Sequence, residues 1–386
     1  MRGANSRRHL SHSTAATSAL SAKLEQMFPG ERAILVGRAA FGLVAALTAW
    51  RGGRPNCRVA MPAAICHEVL LAVLAAGCEP VFCDIDVADG LVPETEWTRA
   101  RALGAEVAIV VHLYGNAARL KAARLIFPSP DCLLVDDAAQ ALGARSVDGP
   151  CGALGDMGLL SFGHSKQISI GNGVVLVKSM EFAARIAAQL AAIPVCDDAS
   201  RSQLQGAFRS RLDAARAQLI ASARADTRGF PGLLDGLGDT LSVALDGALS
   251  AALLDAVDGY PENARARIEK AGFWKDSLEG SGVVAVGMGK GSVPWRFVCR
   301  VPGIDWRAQA RIAQAIRDHG IHVSNWYLPA NWYIGQPVGA LPGTETLSRE
   351  VFQFWLDEHV TRGSILDSAQ VIRRVLMEHF RSGAGP

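Results

Sequence analysis

The sequence of 386 residues has no apolar run of the roughly 20 residues that a membrane-spanning helix needs, which argues against a membrane protein. It also lacks an excess of charge of either sign, because 39 Lys and Arg against 37 Asp and Glu leave a net charge of +2. Proteins that bind nucleic acids normally carry a concentrated basic excess, so no nucleic-acid partner is expected. Hydrophobic residues make up 49% and charged residues 20%, which excludes a disordered chain and allows a large core.

Paired cysteines are absent as well. None of the eight cysteines belongs to a Cys-x-x-Cys pair, and most of them lie in apolar stretches. Zinc-site spacing is therefore missing, and no metal site is predicted. A disulfide scaffold is not expected in a chain of this length. We interpret the cysteines as reduced core residues of a cytoplasmic protein.

The first 24 residues are rich in Ser and Ala and contain no acidic residue before Glu25. A transit peptide can have this composition. We favour the alternative that residues 1–30 form an N-terminal arm, which frays, packs on a small C-terminal domain or crosses to a partner chain.

Apolar, strand-like runs alternate with helical patterns between residues 31 and 178. The predicted strands are 58–61, 80–84, 107–112, 132–136, 157–162 and 174–177, with helices predicted at 39–50, 68–76, 95–103 and 117–125. This alternation predicts an α/β protein with a mainly parallel sheet covered on both faces, which binds ligands beyond the carboxyl ends of its strands. The pattern turns helical from 180 to 280, including 203–223 and 241–257. A second α/β pattern follows, with a strand at 293–301 and helices at 306–319, 348–354 and 368–380.

Two polar features stand at the ends of predicted strands. Gly37, Arg38 and Ala39 open a helix, whose N-terminus with its free N–H groups would suit a phosphate, although an ordinary helix start explains them too. Asp136 and Asp137 end another strand, where carboxylates can contact a ligand or cap the next helix.

A lysine and an aromatic cluster complete the candidate chemistry. Lys166 is one of only seven lysines and follows an apolar strand, which makes it a candidate for Schiff-base chemistry; a solvated turn lysine is the alternative. Trp326, Tyr327, Trp332 and Tyr333 could stack on a flat or sugar-like ligand, line an interface or pack in the core.

In combination, these features resemble fold-type-I pyridoxal-phosphate (PLP) enzymes and, more narrowly, the DegT/DnrJ/EryC1/StrS family of sugar aminotransferases. Order and spacing agree from about residue 30 to 178, and weaker similarity continues to the C-terminus, as at Trp295, Arg296 and Phe297. The matching stretches are 37–40, Pro62, 77–86, 111–115, 136–144, Gly152, Gly155, Asp156, Ser161, Phe162 and Lys166.

The resemblance implies a role for each matching polar residue. Lys166 would hold PLP as a Schiff base and shuttle a proton, and Asp137 would pair with the pyridinium nitrogen. Gln140 would lie near the phenolic oxygen of the ring. Ser161 and the Gly37–Ala39 turn would bind the phosphate.

Four departures from the family pattern accompany the resemblance, the first being Gly171-Asn172-Gly173-Val174 in place of a Gly-Glu-Gly-Gly-like run after the lysine. Where the family has a ring-stacking aromatic, this chain has Ala64, Ile65, Cys66 and His67, of which His67 is the candidate to stack. The Asn-x-Arg element that reaches the phosphate from the neighbouring subunit has no match near 240–246. Arg38 replaces a common Thr or Ser and is a candidate phosphate ligand.

We therefore predict a PLP-dependent aminotransferase of sugar biosynthesis that moves an amino group from an amino acid such as glutamate to a keto-sugar or related keto compound. The resemblance implies a large domain over 31–260, a small domain over 261–386, and a homodimer with the active site at its interface. The predicted substrate contacts are Arg296, Trp326, Tyr327, Trp332 and Tyr333. Two alternatives stay open: another PLP reaction, such as elimination, racemisation or carbon–carbon bond chemistry, or a degenerate member without catalysis.

Overall fold

Strands and helices alternate through the first half of the chain, and helices predominate after residue 178. This computed structural model describes residues 3–223, 228–325 and 328–381, with side chains from Ala15 onward. The helices are α1 (Gly3–Met27), α2 (Ala39–Arg51), α3 (His67–Ala75), α4 (Glu94–Ala102), α5 (Leu120–Ile126), α6 (Met180–Ala192), α7 (Asp198–Ser222), α8 (Leu249–Asp258), α9 (Tyr260–Leu278), α10 (Trp306–Asp318), α11 (Pro342–Glu350) and α12 (Arg362–Arg381). The strands are β1 (Arg32–Val36), β2 (Arg58–Pro62), β3 (Glu79–Cys83), β4 (Val107–Val111), β5 (Leu133–Asp137), β6 (Arg145–Ser146), β7 (Gly149–Pro150), β8 (Met157–Ser161), β9 (Gly173–Val177), β10 (Val284–Ala285), β11 (Phe297–Arg300), β12 (Val323–Ser324) and β13 (Val351–Phe354).

The larger sheet has seven strands in the order β1-β9-β8-β5-β4-β2-β3. Neighbours from β8 to β3 run parallel, and β9 runs against the other strands. Strands β4 and β5 are buried along their whole length, as expected for a parallel sheet with both faces covered. The prediction of a mainly parallel sheet flanked by helices is confirmed.

Helix α2 follows β1 directly and packs on one face of this sheet. The extended backbone of Arg38, with φ −149° and ψ 142°, precedes its first turn, and Gly52 ends it in the left-handed region with φ 55°. Side chains alternate along β9, so that Val175 packs with α2 whereas Val174 packs in the opposite layer. Because β1 ends at the same edge as the parallel strands, the N-terminus of α2 also lies at that edge.

Helix α1 packs against β1 and α8, in the layer opposite to α2. Leu20, Leu24 and Phe28 are spaced by four residues, form one helical stripe and are buried there. Lys23 forms an ion pair with Asp258 of α8. The prediction that the arm packs on the small domain is therefore wrong, because this apolar stripe covers the larger sheet.

A smaller antiparallel sheet of order β10-β11-β13-β12 forms the C-terminal core with α9, α10 and α12. Trp274 of α9 stacks on Phe297 and Phe354, with ring centroids 5.9 and 4.7 Å apart. The sequence pattern predicts a helix over 348–354, but α11 ends at Glu350 and β13 begins at Val351. A short apolar run fits either element, and pairing with β11 and β12 on its two sides makes this one a strand.

The chain between the two sheets is mostly helical, as predicted. The helix predicted over 241–257 is shorter than expected, because a 3-10 turn over Gly238–Leu241 precedes an irregular segment and α8 starts only at Leu249. The seven-stranded and four-stranded sheets lie within residues 32–177 and 284–354, and β6 pairs with β7 in a separate two-stranded sheet. The exact division into domains at 260/261 stays a prediction. No helix in the described ranges is long and apolar enough to cross a membrane.

Candidate active site

A cavity of about 330 Å³ lies at the carboxyl edge of the larger sheet. Its wall brings together residues that follow four different strands: Arg38 after β1, Leu113 after β4, Asp137 at the end of β5 and Lys166 after β8. Parallel strands place their carboxyl ends at one edge, which is why residues distant in sequence meet here. The cavity volume is within the range of small-molecule sites.

The two adjacent aspartates at the end of β5 face opposite sides of the sheet, since side chains alternate along a strand. Asp136 is fully buried and accepts hydrogen bonds from His112 Nε2 at 2.6 Å and from the backbone N–H groups of Gly152 at 2.8 Å and Leu154 at 2.9 Å. The backbone N–H of Ala118 donates to His112 Nδ1 at 2.8 Å, so the proton that His112 donates to Asp136 lies on Nε2. Asp136 therefore stabilises the fold and does not line the cavity.

Asp137 lines the cavity with only 4% of its surface exposed. Within the described part of the chain, its side chain accepts one hydrogen bond, from the backbone N–H of Ala139 at 3.0 Å. Burial raises the pKa of the Asp137 carboxyl, and the positive charge of Lys166 opposes this shift. A cationic N–H group in the cavity would both complete the hydrogen bonding of this carboxylate and favour its ionised form.

Lys166 lies in a tight turn between β8 and β9. Its backbone N–H bonds to Gly163 O at 3.1 Å, and Ser165 adopts a left-handed conformation with φ 65°. Trp295, which precedes β11, donates its indole N–H to Ser165 O at 2.5 Å. Its ring lies 5.8 Å from Lys166 Nζ, close enough for a cation–π contact. The C-terminal part of the chain thus helps to position the lysine.

The turn before α2 has room only for glycine. A Cβ on Gly37 would lie 2.1 Å from Val243 O, and a Cβ on Gly173 would lie 2.4 Å from the backbone nitrogen of Ala39. These approaches bring three backbone segments together at the N-terminus of α2, where unpaired N–H groups favour an anion. Ser161, the last residue of β8, lines the same cavity.

Asn172 joins the segment 243–246 by hydrogen bonds to the backbone next to the N-terminus of α2. Its Nδ2 donates to Asp246 O at 2.8 Å, and the backbone N–H of Asp246 donates to its Oδ1 at 3.2 Å. Asn172 also lines the cavity and has positive φ, 64°. The sequence offered a signal for it, because it stands between two glycines after the predicted lysine.

Arg38 and Glu68 form an ion pair on the cavity wall. Arg38 is the residue that precedes α2, and Glu68 lies in the first turn of α3. Their side chains are 30% and 27% exposed, so water reaches the pair only partly. The sequence reasoning considered Arg38 as an anion ligand but overlooked Glu68, whose only signal was its position in the first turn of a predicted helix.

Gln140 is buried and lines the cavity. Its Oε1 accepts a hydrogen bond from the backbone N–H of Tyr114 at 2.8 Å, which fixes the amide in place. Tyr114 and Gly115 have positive φ values of 61° and 90°, so this turn after β4 is sharply bent toward Gln140.

His67 and two of the predicted aromatic residues lie away from the cavity. The ring of His67 packs on Phe208 with centroids 4.6 Å apart, while its neighbour Cys66 lines the cavity instead. Trp332 and Tyr333 are 1% and 5% exposed and pack in the main core, Trp332 at 6.2 Å from Trp306. This placement corrects the predictions of ring stacking for His67 and of substrate contact for the two aromatics. Trp326 and Tyr327 lie outside the described residues.

Arg296 lines a second cavity, of about 880 Å³, which adjoins the first at the Lys166 turn. Its guanidinium carbon lies 4.1 Å from the ring centroid of Trp295 and 3.8 Å from that of Trp355. Contact with two aromatic rings restricts the movement of the guanidinium. The two cavities share His164, Ser165, Lys166 and Trp295. Of these four residues, the sequence reasoning included only Lys166 among the site residues.

Comparison with known proteins identifies a family and a fold. The sequence profile of the DegT/DnrJ/EryC1/StrS aminotransferase family matches residues 7–225, more than half of the chain. The L-glutamine:2-deoxy-scyllo-inosose aminotransferase of Streptomyces paromomycinus is 34% identical over 115 residues, 30% of this chain and 27% of that protein. The matched segment thus spans about a quarter of this relative's length.

Solved structures resemble the chain over almost its whole length. The aminotransferase TlmJ from Streptoalloteichus hindustanus superposes with a TM-score of 0.73 at 21% identity, covering 95% of this chain and 92% of that one. A sugar aminotransferase from Streptococcus pneumoniae in its PMP form gives 0.76 at 16% identity, covering 94% and 92%. At these identities the likeness establishes the fold, and it confirms the predicted fold-type-I architecture.

Proposed function

The chain belongs to the DegT/DnrJ/EryC1/StrS aminotransferase family, and on that basis we propose that it is a PLP-dependent aminotransferase acting on a keto-sugar or a related keto compound. The observation that carries the proposal is the meeting of Lys166, Asp137 and the N-terminus of α2 around one cavity. The amino donor is an amino acid such as glutamate. Glutamine is a second candidate, because it is named in the relative from Streptomyces paromomycinus.

The donor set of the cavity fits PLP. Lys166 offers a primary amine. Asp137 offers a buried carboxylate that accepts a single hydrogen bond from the described residues. Ser161 and the backbone N–H groups after Gly37 offer donors for a phosphate. In this proposal Lys166 would hold the aldehyde carbon and Asp137 the ring nitrogen. Ser161 and residues 37–39 would hold the phosphate.

Bound PLP would act as an electron sink that stabilises negative charge at the substrate carbon. Asp137 would keep a proton on the ring nitrogen, because its carboxylate is buried and favours a cationic partner. The Nζ amine of Lys166 takes up and returns a proton as general base and acid. Trp295 restricts the turn through its bond to Ser165 O and so orients that amine.

We also propose a homodimer with the active site at its interface, and the two-domain division at 260/261. The contact between Trp295 and the Lys166 turn supports a site that both domains build. Arg296 remains the proposed substrate contact, because it lines the cavity next to the Lys166 turn.

Borohydride trapping tests the cofactor assignment. Purified protein incubated with PLP should turn yellow, and reduction followed by peptide mapping should place the label on Lys166. Lys166→Ala should remain colourless, whereas Lys121→Ala, at a surface lysine paired with Asp148, should behave like the wild type. Label on another lysine, or none, would refute the assignment.

Amino transfer is tested separately by the donor half-reaction. PLP-loaded protein mixed with glutamate should release 2-oxoglutarate in a stoichiometric burst, and glutamine should release its own keto acid. The acceptor step is then tested with a keto-inosose and a nucleotide-linked keto-sugar. Cofactor bound to Lys166 without a half-reaction for any common donor would contradict transamination and favour a different PLP reaction.

A further inference from the structure

We propose that Glu68 limits how tightly the cavity holds the phosphate of the cofactor, because its carboxylate occupies Arg38. Binding of the phosphate must then break or share the Arg38–Glu68 ion pair. This inference rests on the proposed function and adds a residue that controls cofactor retention.

The geometry places both partners where the phosphate would bind. Arg38 is the residue immediately before α2, so its side chain starts from the helix N-terminus that favours an anion. Glu68 reaches the same cavity from α3 and bonds Arg38 Nη2. Backbone crowding around Gly37 leaves this turn little freedom to move, so the side chains must rearrange instead.

The charges give the effect its sign. A phosphate monoester carries nearly two negative charges at neutral pH, and Glu68 adds another to the same wall. With the two side chains 30% and 27% exposed, solvent screens this repulsion only in part. Removing the Glu68 charge frees Arg38 Nη2 and leaves the guanidinium able to turn its donors toward the phosphate.

The consequence concerns retention of the cofactor. When the Lys166 amine is not bonded to the cofactor, the contacts with the phosphate are the main interactions that hold the cofactor in the cavity. A weakened anchor lets the cofactor exchange with solvent, so Glu68 sets the rate at which it leaves.

The test compares Glu68→Gln with the wild type in the full-length protein. Cofactor-free protein is titrated with PLP and, separately, with pyridoxal, which lacks the phosphate. Glu68→Gln should bind PLP about fivefold more tightly, the ratio that corresponds to about 1 kcal/mol for a partly exposed ion pair. The pyridoxal affinity should not change. Glu106→Gln is the matched control, because Glu106 pairs with Arg54 at 3.0 Å away from the cavity.

A double-mutant cycle tests whether Glu68 acts through Arg38. Arg38→Met should weaken PLP binding, and adding Glu68→Gln to it should give a clearly smaller gain than Glu68→Gln gives in the wild type, because only the direct repulsion between Glu68 and the phosphate is then removed. Inorganic phosphate provides an independent measurement, since it should raise the thermal midpoint of Glu68→Gln more than that of the wild type. If Glu68→Gln leaves the PLP and phosphate affinities unchanged or lowers them, or if its gain is equally large without Arg38, the inference is wrong.

Failure of the proposed function gives a different pattern. Wild-type protein would then show no PLP fixed to Lys166, and the phosphate titration alone would decide whether Glu68 opposes anion binding at Arg38.

Discussion

Replacing the two adjacent aspartates of β5 by alanine, one at a time, should have different consequences for the stability of the protein. Asp136→Ala removes the acceptor of three buried donors, at His112 Nε2, Gly152 N and Leu154 N, which lie 2.6 to 2.9 Å away. An orphaned buried donor costs about 1–3 kcal/mol, and partial relaxation makes the sum smaller than three full penalties. We expect Asp136→Ala to destabilise the protein by about 3–5 kcal/mol.

Asp137→Ala should leave the stability nearly unchanged. It loses one hydrogen bond, from Ala139 N, and it removes a carboxylate whose ionisation burial already opposes. These two effects have opposite signs, so the net change should stay within about 1 kcal/mol. The same substitution should abolish amino transfer and weaken the binding of PLP.

Thermal unfolding of the cofactor-free proteins, followed by circular dichroism, measures both effects without stabilisation by the ligand. The apparent Tm of Asp136→Ala should fall by about 5 °C or more, and that of Asp137→Ala by much less. Equal losses in the two variants, or a larger loss in Asp137→Ala, would refute the assignment of Asp136 to the fold and Asp137 to the cavity.

Two further predictions concern a glycine and a buried acid. Gly37→Ala should destabilise the protein by about 1–3 kcal/mol and lower its affinity for inorganic phosphate, because the new Cβ would meet Val243 O at 2.1 Å; Gly238→Ala, where no atom lies within 4 Å, is the control, and equal behaviour of the two would contradict the steric reasoning. Burial raises the pKa of Glu31 to about 7 from 4.5, so the unfolded chain ionises first and stability is lost as the pH rises from 4.5 to 7. Glu31→Gln should therefore add about 3 kcal/mol at pH 8 and almost nothing at pH 4, as measured by denaturant unfolding, whereas a gain independent of pH would point to another cause.

Local features of the site were predictable from the sequence because they depend on neighbours in the chain. The apolar run that ends at Asp137 predicted a strand there. The scarcity of lysine drew attention to Lys166, which follows a second predicted strand. Both residues then line one cavity, because parallel strands end at one edge. The family was predictable for the same reason, since its motifs lie within short stretches of residues 37–166.

Residues that act across the fold could not be predicted in this way. Trp295 reaches Ser165 over 130 residues of sequence, and Glu68 meets Arg38 over 30. Trp332 has the type of side chain that stacks on ligands, but it packs in the core against Trp306. An aromatic side chain suits both a ligand site and the core, and the residues next to it in the sequence do not show which surfaces surround it.

The alternation of strands and helices, the family and the candidate lysine were predictable from the chain's residues alone, because periodicity, turn residues and motif spacing are local properties. The three-dimensional packing was needed to show that Asp137 lines the cavity while Asp136 accepts a hydrogen bond from His112, that Arg38 pairs with Glu68, and that residues 351–354 form a strand. Each of these outcomes depends on which distant backbone or charge lies opposite a side chain, and that neighbour is chosen by the packing of the whole chain.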